Sequence, residues 1–189
     1  MNKGRYSREN HKLIVVWGLS GCGKSTVTKL FTNTYKEWGI MIEGDDYFKP
    51  MKPKIILSSG KICSNWDDPD SVDWDSLNRK LESALITSNV VLATFIPLLD
   101  RIRQKVNLVI KLDMGENEMD KCIAARLITK KIGDDRLRAM TDSVMVKEVV
   151  YKFYKSLPTN TTDYTISVFD NNGRRNLKII VSELANLIM

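Results

Sequence analysis

Short apolar runs alternate along the chain with segments whose apolar residues recur every three or four positions. The apolar runs predict strands at 12–17, 40–43, 90–96, 108–112 and 164–169. The three-to-four spacing predicts helices at 25–36, 73–86, 119–131, 142–156 and 174–189. This alternation favours a three-layer α/β fold, in which a five-stranded parallel sheet carries helices on both faces. Ligands of such sheets bind at the carboxyl ends of the strands.

The length and composition are those of one soluble globular domain. The chain has 189 residues, of which 43% are hydrophobic and 28% charged, and it contains no repeat or linker. We therefore expect a single domain over 1–189, with 1–11 as a flexible N-terminal segment. No apolar run approaches the roughly 20 residues that span a bilayer. The polar, basic N-terminus lacks the apolar core of a secretory signal, so we expect a cytoplasmic protein without a membrane partner.

The cysteines and the single histidine exclude several kinds of chemistry. Cys22, Cys63 and Cys122 are scattered, odd in number and without C-x-x-C spacing. This pattern disfavours a disulfide framework and a zinc site, and it suits a reducing compartment. His11 precedes the first predicted strand, so catalysis based on histidine is not expected.

The most specific motif lies between the first strand and the first helix. The segment GLSGCGKST at 18–26 satisfies G-x-x-x-x-G-K-[ST], the phosphate-binding P-loop. Glycines let backbone N–H groups surround a phosphate, Lys24 supplies a cation for the β- and γ-phosphates, and the Ser25 hydroxyl is a ligand for Mg²⁺. The predicted nucleotide-binding residues are Gly18, Ser20, Gly21, Cys22, Gly23, Lys24, Ser25 and Thr26. The motif predicts a P-loop NTPase fold, which GTPases, ATPases and kinases share.

An acidic segment follows the second strand. GDDYFKP at 44–50 places Asp45 where it can accept a proton from an acceptor hydroxyl beside the P-loop. The alternative is a turn, because aspartate also favours turns and helix caps.

A second acidic segment, NWDDPDSVDW, occupies 65–74. A carboxylate can bind the two hydroxyls of a ribose, and an aromatic ring can stack on a base or sugar. The alternative is a helix N-terminus, where acids offset the helix dipole. Asp73 suits that alternative, whereas Asp67 lies too early for a cap and is the better ligand candidate.

In this order and spacing, the three segments resemble the uridine kinase and nicotinamide riboside kinase group of P-loop kinases. The resemblance is specific over about 12–86, and beyond that only the order of elements agrees. It implies that Asp45 is the catalytic base for the ribose 5′-hydroxyl and that Tyr47 and Phe48 line the acceptor pocket. It also implies that Asp67 holds the ribose 2′ and 3′ hydroxyls, with Trp66 stacking nearby.

The same resemblance implies a lid at about 119–140 whose basic side chains close over the phosphates. Arg126 is the first candidate for a catalytic cation there, followed by Lys130 and Arg136. Nine Lys or Arg residues against four Asp or Glu between 121 and 155 agree with this role. A plain solvated basic helix has the same composition, so that alternative stays open.

The third strand departs from the family pattern. Members of the group carry an acidic residue at its end that helps to organise Mg²⁺, but this chain has Ala93 and Thr94 there. No carboxylate occurs between Leu85 and Leu99. We therefore expect Mg²⁺ to rely on Ser25, Asp45 and water, with Asp46 and Asp113 as further candidates.

The sequence therefore predicts ATP-dependent phosphorylation of the 5′-hydroxyl of a nucleoside, either uridine- or cytidine-like or nicotinamide riboside-like. One alternative, motivated by Ala93 and Thr94, is a nucleotide-binding protein that has lost transferase activity. Another is a kinase for a different small acceptor, such as a nucleoside monophosphate or a sugar acid, which ranks lower because 44–75 contains no arginine. Nucleic acid ranks lowest despite the net charge of +6, because the aromatic residues lie beside acids. The sequence predicts no particular oligomeric state.

Overall fold

The computed structural model describes residues 11–95, 97–115, 118, 146–157 and 161–189. In chain order, its strands are β1 (Leu13–Trp17), β2 (Gly39–Glu43), β3 (Lys54–Ile56), β4 (Ile62–Ser64), β5 (Asn89–Thr94), β6 (Leu108–Asp113), β7 (Tyr164–Ser167), β8 (Phe169–Asp170) and β9 (Gly173–Arg174). The α-helices are α1 (Lys24–Thr34), α2 (Trp74–Ala84), α3 (Lys152–Ser156) and α4 (Leu177–Ile188). Short 3₁₀ helices lie at Gly44–Tyr47, Pro69–Ser71 and Leu99–Arg101, and a π-helix at Val146–Tyr151 leads into α3.

Five strands form one parallel sheet in the order β2-β5-β1-β6-β7. The sheet confirms the fold class expected from the alternation of strands and helices. Trp17 at the end of β1 pairs with Thr94 on one side and with Lys111 on the other, and Glu43 at the end of β2 pairs with Ala93. The carboxyl ends of the strands therefore meet at one edge, as parallel pairing requires.

The two faces of the sheet pack against different helices. On one face, the buried β1 residues Ile14 and Val16 contact a core that includes Phe31 of α1 and Leu184 of α4. On the other face, alternate strand residues pack against α2, whose Leu77 is almost fully buried. Each such side chain contributes about 1.5–3 kcal/mol by leaving water. Because alternate β1 side chains point to opposite faces of the sheet, β1 contributes to the hydrophobic core on each face and thereby joins the three layers.

Two regions differ from the sequence prediction. The sequence predicts no strand or helix between 43 and 73, but this segment contains the β3–β4 hairpin, in which Ile55 pairs with Cys63. Strands of three residues are too short to give a periodic signal. The hairpin tip is fixed by Glu148 of the π-helix, whose carboxylate accepts the Ser58 N–H at 2.9 Å and the Ser58 hydroxyl. This contact spans 90 positions, so local sequence gives no sign of it.

The last helix also begins later than predicted. Residues 173 and 174 pair with β8 instead of starting the helix. Asn176 is the N-cap of α4, because its side chain accepts the Lys178 N–H at 2.9 Å. A capping asparagine satisfies a backbone donor that the helix leaves unpaired.

Several predictions fall outside the described residues. These are most of the N-terminal segment 1–11 and the lid at about 119–140 with Arg126, Lys130 and Arg136, as well as the beginning of the helix predicted at 142–156. Within the described ranges, no helix combines the length and the apolar character needed to cross a membrane.

Candidate active site

The P-loop connects the end of β1 to the start of α1. Gly23, the N-cap of α1, has φ +102°, a left-handed conformation that glycine adopts without a Cβ penalty. The Lys24 ammonium donates to the carbonyls of Gly18 at 2.8 Å and Leu19 at 3.1 Å. The side chain thus lies along its own loop, with its charge at the loop where phosphates would bind. The Cys22 side chain instead packs in the hydrophobic core and is 1% exposed, so only the backbone of Cys22 is available to a phosphate at this loop.

A cavity of about 180 Å³ lies over the P-loop. Its lining from the loop is Ser20, Gly21, Gly23, Lys24, Ser25 and Thr26. Three residues from elsewhere in the chain complete it: Asp45, Ala93 and Arg174. The structure therefore brings Asp45, predicted as the base, to the same cavity as Lys24 and Ser25. Arg174 was not among the predicted site residues.

Glu43 is a second residue that the sequence analysis did not identify. The Ser25 hydroxyl donates to a Glu43 carboxylate oxygen across the edge of the sheet. Glu43 ends β2 directly beside Ala93, the strand end that lacks the expected carboxylate. Gly44 permits this close approach, because a Cβ at position 44 would lie 3.2 Å from the Ala93 carbonyl oxygen. A carboxylate from the neighbouring strand therefore lies where the third strand supplies none.

The donor set around Ser25 suits Mg²⁺. Among the described residues, no group of three His, Cys, Asp or Glu side chains converges to hold a metal. Mg²⁺ does not need such a cage, because it is usually bound by one or two carboxylates together with phosphate oxygens and water. The Ser25 hydroxyl and the Glu43 carboxylate supply oxygens of this kind, and Asp45 lines the same cavity.

Asp113, a further metal candidate from the sequence, lies elsewhere. Its carboxylate accepts the Lys111 ammonium at 2.7 Å. Both side chains line a separate cavity of about 480 Å³ with Trp17 and Tyr154. Burial raises the pKa of the Tyr154 hydroxyl, so the phenol stays neutral in this cavity. Asp113 is thus paired with a cation away from Ser25.

Asp45 and Tyr47 belong to the 3₁₀ helix that follows β2. Asp45 is exposed, whereas Tyr47 is half-buried. Burial raises the pKa of Tyr47, and the negative charge of Asp46 raises it further, so Tyr47 remains a neutral hydrogen-bonding phenol. The Tyr47 carbonyl accepts the Asp73 N–H at 2.8 Å. This bond ties the segment that carries Asp45 to the second acidic segment.

An aromatic cluster forms the wall next to these segments. The ring of Phe48 lies 5.2 Å from Trp66 in an edge-on arrangement and 5.2 Å from Phe95. The Lys52 ammonium lies over the Trp66 ring, 3.8 Å from its centroid, which is a cation–π contact. Phe48 and Trp66, predicted as substrate residues, are therefore neighbours. A base that stacked on the Trp66 face under Lys52 would have to displace that ammonium.

Asp67, the predicted ribose ligand, is 9% exposed. It lines a narrow crevice with Gly18, Leu19 and Ser20 of the P-loop, and Phe95 lies on the same crevice. The Asp67 N–H donates to the Asn65 side chain at 3.2 Å, which fixes the backbone here. A buried carboxylate thus lies beside the phosphate loop, although 41 positions separate Asp67 from Thr26 along the chain.

Asp73 caps helix α2, as the alternative interpretation of its segment predicted. Its carboxylate accepts the Ser76 N–H at 3.0 Å and the Ser76 hydroxyl at 2.7 Å. These hydrogen bonds to the charged form lower the pKa of Asp73. The second acidic segment therefore divides into a buried carboxylate at the crevice and a capping carboxylate at the helix.

A cavity of about 680 Å³ lies at the opposite end of the sheet. It is lined by residues that include His11, Glu82 and Arg103, near the amino ends of the strands. His11 is bonded there to the Leu85 carbonyl at 3.0 Å. Despite its size, this cavity carries none of the predicted site residues, and ligands of parallel sheets bind at the other edge.

Comparisons with known proteins agree with this architecture. No protein-family profile matches the chain, and no curated protein is a detectable sequence match. Among solved structures, a gluconokinase from Sinorhizobium meliloti 1021 aligns with a TM-score of 0.55 and 19% identity, covering 94% of this chain and 93% of that one. A sugar kinase from Janibacter sp. HTCC2649 aligns with a TM-score of 0.57 and 13% identity, covering 93% of each chain. Thymidylate kinase from Candida albicans aligns with a TM-score of 0.52 and 14% identity, covering 94% of this chain and 91% of that one. These likenesses show that the chain has the three-layer fold of P-loop kinases.

Proposed function

We propose that this chain transfers the γ-phosphate of ATP to the 5′-hydroxyl of a nucleoside that is uridine- or cytidine-like or nicotinamide riboside-like. The observation that carries the proposal is the shared cavity of Lys24, Ser25 and Asp45. It combines a phosphate-binding loop with a carboxylate from the 3₁₀ helix that follows β2. Phosphoryl transfer requires little beyond such positioning and the neutralisation of charge.

The chemistry assigns one task to each of these groups. The acceptor hydroxyl oxygen forms a bond to the γ-phosphorus, and the bond from that phosphorus to the β–γ bridging oxygen breaks, so that ADP leaves. Asp45 accepts the hydroxyl proton. Lys24 offsets the negative charge of the β- and γ-phosphates. Ser25 and Glu43 would hold Mg²⁺, which neutralises phosphate oxygens when it is bound.

The acceptor side supports a nucleoside. Asp67 has a nearly buried carboxylate at the narrow crevice beside the P-loop, and a ribose would reach it only if the crevice widens, after which the carboxylate would accept hydrogen bonds from two neighbouring hydroxyls. Tyr47, Phe48 and Trp66 add aromatic surface nearby, of the kind that binds a planar base. Together these groups combine polyol recognition with a surface for a ring.

The test is a panel of acceptors incubated with the protein and Mg²⁺-ATP. The panel contains uridine, cytidine, adenosine, guanosine and nicotinamide riboside, and acceptor-dependent ADP formation is measured. We expect at least one nucleoside to stimulate ADP release, with phosphorus NMR showing a 5′-monophosphate product. The absence of stimulation by every nucleoside, in a preparation that binds ATP, would contradict the proposal.

A sugar acid is the second candidate acceptor. The Lys52 ammonium over Trp66 places a cation at the acceptor wall, which suits a carboxylate-bearing polyol. One of the similar structures is described as a gluconokinase, so gluconate belongs in the same panel. Turnover with gluconate and with none of the nucleosides would replace the first candidate by the second. Lys52→Gln should then raise the KM for gluconate without changing the KM for ATP.

A nucleotide-binding protein without transferase activity is the third candidate, suggested by Ala93 and Thr94 at the strand end where a carboxylate is expected. The Ser25–Glu43 hydrogen bond weakens this reason, since a carboxylate still lies at the hydroxyl proposed to bind the metal. Calorimetry separates the two cases. ATP binding that does not depend on Mg²⁺, together with no turnover on any acceptor, would favour the inactive binder.

A further inference from the structure

Two consecutive arginines precede helix α4, and they have different surroundings. Arg175 is paired within the fold: its guanidinium donates to the Ser167 carbonyl at 2.7 Å and to the Glu183 carboxylate at 3.1 Å. The Glu183 carboxylate raises the pKa of Arg175. Arg175 therefore joins the end of β7 to α4, which is a structural role.

Arg174 points the other way, onto the phosphate loop. Its guanidinium lines the same cavity as Lys24 and Ser25. One of its terminal nitrogens lies 3.5 Å from the Cys22 carbonyl oxygen. The same nitrogen would be 2.8 Å from a Cβ built at Gly23, so a residue larger than glycine there would push the guanidinium away. The glycine therefore serves both the left-handed turn and the approach of Arg174.

The β8–β9 hairpin fixes this placement. Phe169 pairs with Arg174 and Asp170 pairs with Gly173, which turns the chain back toward the P-loop after β7. The Asn172 N–H donates to the Asp170 carboxylate at 2.8 Å and stabilises the turn. The hairpin thus presents an exposed arginine at the phosphate cavity, while the backbone of Arg175 is held to Val168 at 3.0 Å.

We propose that Arg174 is a nucleotide-binding residue whose guanidinium binds the α- and β-phosphates of ATP and ADP. The proposal rests on the nucleotide-dependent part of the proposed function and is independent of the acceptor. Backbone N–H groups of a P-loop hold the α- and β-phosphates, and the Arg174 guanidinium lies beside Cys22 and Gly23 of that loop. A planar guanidinium can donate two parallel hydrogen bonds to phosphate oxygens.

The charges that line the cavity favour the same role for Arg174. Among the described residues, Lys24 and Arg174 supply the cationic side chains that line this cavity, Asp45 lines it with a carboxylate, and the Glu43 carboxylate lies on the Ser25 hydroxyl. The Lys24 ammonium serves the β- and γ-phosphates. A second cation beside Cys22 and Gly23 offsets the charge that ADP keeps after transfer, so Arg174 acts on substrate and product nucleotides alike.

Isothermal titration calorimetry of Mg²⁺-ATP and Mg²⁺-ADP tests the proposal, without any acceptor present. R174Q should lower the affinity for both nucleotides by about tenfold, as expected for the loss of one charge-assisted contact in a partly solvated site. R174K should recover part of the affinity, because lysine restores the charge but cannot donate two parallel hydrogen bonds as a guanidinium does. The matched control is R175Q, which should leave both affinities within about twofold and lower the melting temperature. Circular dichroism checks that each variant is folded.

Three results would overturn the proposal. The first is R174Q binding both Mg²⁺-ATP and Mg²⁺-ADP as tightly as the unmodified chain. The second is an equal loss of affinity in R175Q, because the effect would then come from the α4 junction. The third is a loss for ATP with none for ADP, which would place the guanidinium at the γ-phosphate instead. Because no acceptor is used, failure to phosphorylate any nucleoside would not alter these results.

Discussion

The two sides of the candidate active site are built in different ways. The phosphate side is one continuous segment, Gly18 to Thr26, between β1 and α1. The acceptor side combines Asp45, Phe48, Trp66 and Phe95 with their neighbours, from segments that are up to 50 positions apart. Local backbone geometry specifies the first side, whereas long-range packing assembles the second.

The two sides therefore differ in which of their positions can vary. A P-loop needs its glycines and its lysine in fixed order, because backbone N–H groups must converge on one phosphate. The carboxylate proposed to hold the metal does not depend on that order. Glu43 on β2 and position 93 on β5 are direct neighbours across the sheet, so either strand can bring a carboxylate to Ser25. A function that rests on spatial neighbours can move between strands while the loop stays unchanged.

The largest expected effect separates catalysis from phosphate binding. Asp45→Asn should lower kcat by roughly 10²–10⁴-fold, the range lost when a positioned general base is removed. The affinity for Mg²⁺-ATP should stay within a few-fold, because the P-loop is untouched. Steady-state kinetics with the best acceptor and calorimetry with ATP measure the two quantities.

Asp46→Asn is the matched control for this variant. Asp46 is the exposed neighbour in the same 3₁₀ helix, so it tests for a general effect of removing charge. Equal turnover of Asp45→Asn and the unmodified chain would reject Asp45 as the base. A similar loss in both variants would indicate that the segment, and not one carboxylate, is responsible.

The next effect tests whether β2 supplies the metal carboxylate. Glu43→Gln removes the charge but keeps a side-chain oxygen beside the Ser25 hydroxyl. We expect Mg²⁺-dependent ATP affinity to fall by about tenfold or more, while ATP binding in EDTA stays the same or improves, since a negative charge near the phosphates is gone. Calorimetry with and without Mg²⁺ measures both values.

Glu37→Gln is the control variant. Glu37 is exposed and precedes the amino end of β2, whereas Glu43 is at the carboxyl end. The control variant should change neither affinity. If Glu43→Gln weakens ATP equally with and without Mg²⁺, Glu43 supports the loop itself instead of the metal.

A smaller effect is expected at the acceptor crevice. Asp67→Asn should raise the KM for a ribonucleoside by about tenfold, while the KM for ATP stays within about twofold, since hydrogen bonds to a charged group contribute about 1.5–3 kcal/mol. The same KM values are measured with a 2′,3′-dideoxynucleoside, which lacks the two hydroxyls, for both the unmodified chain and the variant. The unmodified chain should prefer the ribonucleoside, and the variant should lose that preference. Retention of the full preference would show that Asp67 does not bind the ribose hydroxyls.

The same contrast explains how far sequence reasoning reached. The parallel sheet and the P-loop follow from local signals: apolar runs, glycines at fixed offsets and a lysine before a helix. Glu43 was missed because its neighbour Ala93 lies on a strand 50 positions away, and a carboxylate at a strand end looks ordinary in sequence. Arg174 was absorbed into the predicted last helix, since an apolar period of 3.6 does not show that Asn176 caps that helix. To predict which residues are neighbours at the strand ends, one must know the order of the strands in the sheet, and the local sequence does not contain that order.

The smallest expected effect concerns the cap that joins the acceptor segment to α2. Asp73→Asn keeps an oxygen for the Ser76 N–H but removes the charge. The folded-state pKa of Asp73 lies below its usual value of 3.8, so its charge stabilises the fold above that pH, and this contribution is lost as the pH falls through the folded pKa. The variant should therefore melt a few degrees below the unmodified chain at pH 7, and the difference should shrink below about pH 4.

Thermal melts of both proteins between pH 3 and pH 7 measure this difference. Asp73 is also joined to the Tyr47 carbonyl through its own N–H, so loosening the cap affects the acceptor side before it reaches the P-loop. At pH 7 the variant should show a modest rise in acceptor KM with unchanged ATP affinity. A gap in melting temperature that widens as the pH falls would contradict the lowered pKa. A change in ATP affinity without a change in acceptor KM would contradict the separation of the two sides, because it would show that the cap supports the continuous loop and not the assembled wall.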